Sequence, residues 1–527
     1  MADVDAVVIG AGPNGLVAAN VLADAGWRVL VLEAQPEPGG AVRSAELTHP
    51  GFVHDVFSAF YPLGAASPVM QALELERHGL RWCRAPLVLA HPHADGRCAV
   101  LSTDVDETAK SLESFAAGDG GAWRSLSDEF ARVSDPLLEA MTSPFPPVRG
   151  ATRLAARLGP RGLVDFTRTA LLPVRRFAQE RFAGEGAALL LTGNALHSDV
   201  GPDTPPSGFL GWVLTGVGQQ YGFPVPEGGA AQLTAALVRR LEAAGGAVRC
   251  SAHVRRIEVR DRRAVAVVLD DGESIAAPRA VLADVGAPAL YRNLVGEEHL
   301  PASLVDDLTR FQYDLATFKV DWALSGPIPW RAEPASRAGT VHLLDSMDRA
   351  TAYTSQLAQD LIPEHPFVLT GQMNKADPTR SPAGTETVWA YSHVPLRPRG
   401  DAAGELRGTW DESETQVFAD RLEAEIERHA PGFRARVTAR HLLPPPALEA
   451  RDENLVGGAL GGGTAALSQQ LVFRPVPGLG RAETPVRSLF LASASAHPGG
   501  GVHGACGANA ARAALAAYRI RRLTGRA

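Results

Sequence analysis

The stretch Ala6-Val7-Val8-Ile9-Gly10-Ala11-Gly12-Pro13-Asn14-Gly15 restricts the fold of this chain more than any other. A short all-apolar run suits a strand buried on both faces of a parallel sheet. Glycines follow at once, then helical composition from Leu16 to Ala25, a stop at Gly26, and a second apolar run, Val29–Leu32, ending on Glu33. Gly10 permits a tight turn, Gly12 lets the backbone approach a pyrophosphate, and Gly15 lets helix and strand pack closely. Pro13 and Asn14 fall at the helix start, where unpaired N–H groups and the positive dipole end attract phosphate. Glu33 stands 23 residues after Gly10 and, with neighbouring Ala34, is placed to meet the ribose hydroxyls of an adenosine; a carboxylate there repels a 2′-phosphate. Strand, glycines, helix, strand and acid occur in the order a dinucleotide-binding βαβ unit requires.

Length and charge narrow the rest. A chain of 527 residues is long enough for two or three domains or one interleaved pair. Its formal net charge of −7 gives no basic surplus for nucleic acid. Four scattered cysteines without a CxxC or a Cys/His cluster exclude a disulfide scaffold, a dithiol redox centre and a metal site of familiar spacing. No secretory leader is legible, and no run of about 18 apolar residues spans a membrane. Residues 488–509 carry no Asp, Glu, Lys or Arg, but their glycines, prolines and histidines make a poor span. A cytoplasmic protein, peripheral to a membrane at most, is expected.

Two further glycine clusters identify the cofactor. Pro38-Gly39-Gly40-Ala41-Val42-Arg43-Ser44 puts a glycine pair and a guanidinium just past the second strand, suited to a second contact with a long diphosphate cofactor. Near the far end, Leu489-Phe490-Leu491-Ala492 reads as a strand leading through Ala494 to His497-Pro498-Gly499-Gly500-Gly501-Val502-His503-Gly504 and an alanine-rich helix. Arg521 and Arg522 stand where a second ribose-binding acid would be expected. This junction therefore reads as a helix start facing a flavin ring, with Ala494, Gly501, Val502 and His503 as contact positions; its dipole favours negative charge on the reduced ring.

The blocks VVIGAGPNGLVAA, PGG with GFVHD, VPEGGAAQLTAALVRRLEAAGG, WAYSHVP and HPGGGVHGACGANAA resemble the phytoene desaturase-related branch of the FAD-dependent amine oxidase superfamily. Within that branch the chain is most similar to the pyridine nucleotide-disulphide oxidoreductase domain-containing proteins. The resemblance implies an α/β fold, in which a Rossmann-type, p-hydroxybenzoate-hydroxylase-like domain with non-covalent FAD is interleaved with an α+β substrate domain. It also implies that Val254 holds the adenine through its backbone. The FAD-binding domain is then expected from 1–67, 222–289 and 481–527, and the substrate domain from 68–221 and 290–480. Two departures stand out: Ala41 replaces the arginine that follows the glycine pair in many relatives, and no acid occurs at Ala494-Ser495.

In the middle of the chain, a helix over about Ala230–Ala244 precedes short strands at Val254–Val259, Ala264–Leu269 and Ser274–Ala277, and Ala280–Asp284 returns to the cofactor sheet. Phe318, Val320, Trp322 and Leu324 alternate with Lys319, Asp321 and Ala323, which predicts a half-buried strand. Ser413 with Gln416 predicts a helix cap. Residues 149–182 hold eight arginines against Asp165 and Glu180, interleaved with leucine and phenylalanine. Such a segment suits a membrane surface, or a solvated lid or oligomer interface whose arginines pair with acids.

In a flavoenzyme the ring performs the hard step, so strong side-chain catalysts need not show. His503 and His497, flanking the glycine run, are the first candidates for flavin-side proton relays, having ordinary pKa values near ~6.5; Tyr221 and His197 are candidates for lining the cavity. Structural hydrogen bonding is the competing reading for all four. Phe57, Phe60, Tyr61, Phe209 and Trp212 offer aromatic surface to an apolar substrate. The expected activity is a FAD-dependent desaturase, dehydrogenase or oxidase acting on an isoprenoid- or acyl-like compound. A redox-neutral isomerase and an amine oxidase are alternatives, although no aromatic cage or flavin-side lysine is assignable from the sequence. A FAD-bound regulatory protein without turnover is the alternative of another class.

Overall fold

A computed structural model describes residues 4–93 and 95–524. Its first sheet has five parallel strands in the spatial order Leu489–Leu491, Ala280–Ala283, Ala6–Ile9, Val29–Leu32 and Ala247–Arg249. Ala6 lies opposite both Val29 and Ala280, so the opening strand is central. Its four apolar residues are buried because both faces of the sheet are covered. Helices Pro13–Asp24, Ala231–Ala243 and Ala505–Leu523 pack on one face through Leu16, Val17, Leu237, Ala508 and Ala511. The antiparallel meander Val254–Arg260, Arg263–Leu269 and Ser274–Ala276 covers the other through Ile257 and Val267 against Ile9 and Val281. Helix Ala505–Leu523 crosses the first helix at Gly507, where a Cβ would stand 1.8 Å from the Asn14 carbonyl oxygen.

A second, mixed sheet of seven strands runs Val437–Leu443, Ala316–Leu324, Glu386–Val394, Val368–Gln372, Ala338–Leu343, Leu87–Pro92 and Cys98–Leu101. Only the pair Ala338–Leu343 with Leu87–Pro92 is parallel. Helix Glu412–His429 seals one face through Phe418, Leu422 and Ile426 against Phe318, Val320 and Trp322. Helices Glu185–Ala195 and Ser207–Tyr221 lie over the other, bringing Leu189 and Trp212 into the same core as Leu369 and Trp389.

Two local expectations are corrected. Strand Ala316–Leu324 is buried along its whole length rather than on one face; Lys319 and Asp321 neutralise each other, so their polar side also tolerates burial. The cap of helix Glu412–His429 is Asp411, which accepts from the Glu414 N–H, while Glu414 reaches back to the N–H groups of Gly408, Thr409 and Trp410. This capping arrangement stands two residues earlier than the Ser413/Gln416 pair.

The arginine-rich region forms helix Val148–Ala170, broken at Gly159, and helix Val174–Gln179. Seven of its eight arginines have partners: Arg149 and Arg153 on Glu139, Arg157 on the Arg132 carbonyl, Arg168 and Arg176 on Glu180, Arg175 on Asp203 and Asp348, and Arg181 on Glu129. Among the described residues, no helix is long and apolar enough to cross a membrane.

Candidate functional site

The glycine clusters, far apart in sequence, meet in space. Gly39 N–H donates to the Ala11 carbonyl at 2.9 Å, and a Cβ on Gly40 would lie 3.1 Å from Gly12 Cα. Gly10, Gly39 and Gly40 all have positive φ (92°, 132° and 52°), which side chains resist. A Cβ on Gly15 would fall 2.1 Å from the Gly10 carbonyl oxygen, so that glycine is fixed by helix–strand packing. Helix Pro13–Asp24 starts at Gly12, which has no side chain to cap it; Asp284 Oδ2 takes the Gly15 N–H at 2.8 Å and Pro13 has none, so the Asn14 N–H is the donor left at the dipole end. Arg43 is tied down by bonds from Nε to the Gly40 carbonyl and from Nη2 to the Arg451 carbonyl, and lies over the Phe57 ring.

Glu33 ends its strand with Oε2 accepting from Ala11 N–H at 2.8 Å and Oε1 from Gln35 N–H at 2.9 Å, whereas Ala34 is exposed. Ser251 and Ala252 bond back to the carbonyls of Gln35 and Glu33, which brings the start of the meander, including buried Val254, alongside the acid.

The late junction lies against the first helix. A Cβ on Gly504 would touch Val17, and the Val502 carbonyl packs against Gly64. His503 is not a free proton carrier: its Nδ1 accepts from Ala505 N–H at 3.0 Å, and its carbonyl accepts from Ser67. Burial lowers the pKa of both His503 and His497 to about 4. The expectation of ordinary histidine pKa values here is therefore wrong; both rings are neutral near pH 7. Arg474, which sequence reasoning missed, is fully buried beside them. Its guanidinium donates to the carbonyls of Gly461, Gly463, Thr464 and Ala494, so Ala494 is held from behind.

The other two candidates lie elsewhere. Tyr221 ends helix Ser207–Tyr221, where burial and then the charge of Asp135 raise its pKa. His197 is bonded to His342, Nε2 to Nε2 at 3.2 Å, and its Nδ1 is 3.4 Å from the Tyr391 hydroxyl. Burial lowers its pKa to about 3. Thus His197 joins a neutral His–His–Tyr chain on the second sheet, while His497 and His503 belong to the glycine run.

That sheet face gathers residues that the sequence did not bring together. Trp389 lies across Gly371, whose absent side chain makes room for the indole. Phe60, Trp389 and Tyr391 follow at ring separations of 5.9 and 6.0 Å, the last two stacked nearly parallel. Lys319 Nζ donates to both Asp321 oxygens at 2.5 Å, and Asp321 is 3.4 Å from His54 Nδ1. Burial alone would push the Asp321 carboxyl up, but Lys319 and His54 hold it below its ordinary value. Arg380 and Asp55 form a second buried pair at 2.6 Å. Alternation marked Lys319 and Asp321 as strand residues; only the register between distant chain segments brings them beside Trp389 and Tyr391.

Residues 14–313 match the family model for flavin containing amine oxidoreductases. The chain belongs to that family. Pyridine nucleotide-disulfide oxidoreductase domain-containing protein 2 of Mus musculus is 30% identical, over 96% of this chain and 92% of its own. A phytoene desaturase of Fusarium fujikuroi is 23% identical over 94% and 86%. Among solved structures, an oxidoreductase from Methanosarcina mazei superposes with a TM-score of 0.62 at 16% identity, covering 97% of this chain and 99% of that one. This member of the amine oxidoreductase family is accordingly a FAD-dependent oxidoreductase with a Rossmann-type cofactor fold. No redox-active cysteine pair accompanies it: all four cysteines are free, and burial pushes Cys506 up to about 12. Its residues fit FAD. The glycine cradle would be filled by any Cβ, Gly12 gives the helix start no cap of its own, and the buried Asn14 Oδ1 beside it has no protein partner.

Proposed function

We propose that this flavoenzyme dehydrogenates an apolar, isoprenoid- or acyl-like substrate, drawing hydride from carbon. In this reading Gly10, Gly12, Pro13, Asn14 and Gly15 carry the diphosphate, with Gly39, Gly40 and Arg43 closing over it. Glu33 and Val254 take the adenosine, and Ala494, Gly501, Val502 and His503 meet the ring. Bound FAD supplies a two-electron acceptor.

The single observation that carries the reading is the aromatic row Phe60–Trp389–Tyr391, backed by uncharged histidines. Such a wall can hold a hydrocarbon flat and keep water away from it, and it presents no ionised base for removing an acidic proton. An amine substrate fits this face less well. An ammonium ion needs an unspent carboxylate, and Asp321 and Asp55 are already committed to Lys319 and Arg380. The likeness to a desaturase of phytoene points the same way.

The test is anaerobic mixing of the holoprotein with isoprenoids, acyl compounds and amines, following loss of the oxidised flavin band. Bleaching by an apolar compound, with a product lighter by two hydrogens, is the expected result. Bleaching by amines alone overturns it.

A further inference from the structure

The strand Ala280–Ala283 delivers Asp284 to the rear of the glycine loop. Its N–H continues the ladder to the Ile9 carbonyl, its carbonyl accepts from Asn454, and its Oδ2 accepts from Gly15 N–H at 2.8 Å. A Cβ on Gly12 would approach the same oxygen to 2.8 Å. The carboxyl therefore packs against Gly10, Gly12 and Gly15 at once, at the start of the helix that follows the turn.

Nothing nearby neutralises it. The groups around it are carboxylates: Glu33 behind Ala11, and Asp452, whose Oδ2 would lie 3.5 Å from a Cβ on Gly40. Burial, then the charges of Asp452 and Glu33, raise Asp284 to about 7 despite the Gly15 bond. Arg43, the nearest cation, is spent on two carbonyls and acts on Asp452. From the late helix the facing group is Cys506, a neutral thiol. A diphosphate adds two negative charges to this ring of acids. Like charge disfavours ionisation further.

We infer that Asp284 is the proton-linked anchor of the diphosphate: cofactor binding takes one proton from solvent onto its carboxyl, which then serves the site as a neutral hydrogen-bonding group. The inference rests on the diphosphate lying along Gly10–Gly15. Neutral Asp284 keeps its bond to Gly15 N–H and gains a donor; ionised Asp284 repels the ligand. The two phosphate diesters of FAD are fully ionised from mild acid to mild base, so the ligand itself contributes no titration there.

The experiment is titration of the apoprotein with FAD between about pH 6 and pH 9, read by quenching of flavin fluorescence, with proton uptake measured in weak buffer. For the wild type, Kd should be flat below neutrality and rise about tenfold per pH unit above it, with about one proton taken up per FAD at the alkaline end. Asp284→Asn, an uncharged isostere, should bind with a flat profile and take up none. Asp452→Asn should retain the slope. A flat wild-type profile without proton uptake, or an unchanged slope in Asp284→Asn, overturns the inference while leaving FAD on the loop. A chain that takes up no FAD at any pH removes the loop assignment and the inference together. If Asp284→Asn fails to fold, judged by its melting curve, the wild-type proton count decides alone.

Discussion

The two sheets do their work with different atoms. At the parallel sheet the working groups are backbone N–H donors bared by glycines, and most of the site lies within one βαβ unit. At the mixed sheet the working groups are side chains, Trp389, Tyr391, Lys319 and His342, assembled by register from strands distant in sequence. A backbone site tolerates no added atom, whereas a side-chain site tolerates no lost partner. The first fails by crowding and the second by exposing an unpaired group.

The largest expected effect is therefore at Gly15. Gly15→Val would drive a side chain into the Gly10 carbonyl, and a colourless protein with a sharply lowered Tm is expected on purification. Retained yellow colour would show that the loop is more plastic than its packing.

Next comes the side-chain side. Arg380→Met strands Asp55 in a site where both partners have zero exposure, and a loss of about 3–5 kcal/mol is expected in chemical denaturation. Replacing both partners with apolar residues should recover part of it, which a simple cavity would not do.

An effect of pH on stability follows from the histidines. Because His197, His497 and His503 are depressed in the fold, to about 3, 4 and 4, their neutral forms stabilise it fully above the unfolded value near ~6.5. That stability is lost as pH falls from there through the folded values. Melting temperature should drop steeply on acidification, while the pH profile of kcat/KM should show no histidine step near neutrality. A step there would restore His503 or His497 as a relay.

The smallest effect belongs to the surface. Arg168→Ala removes an exposed pair with Glu180 and should leave the melting temperature nearly unchanged, the more so in high salt.

The same contrast explains what could be read from residues alone. Gly10, Gly12, Gly15 and Glu33 announce their site because spacing along one short segment is itself the geometry. Glycine at 39 and 40 could be joined to them because the diphosphate demands a second approach. Asp284 was legible only as a strand end; its place behind Gly15 depends on a parallel pairing across most of the chain. Lys319 and Asp321 lay in an alternating pattern that fixes a face but not its opposite neighbour. The histidines misled because residue type predicts chemistry in water, while burial decided their protonation.

The crossing of the first and last helices at Gly507 has a consequence for biosynthesis. The nucleotide loop is synthesised long before the helix that packs behind it. Cofactor capture must then wait for that helix, and a premature stop anywhere before it strips the loop of its support.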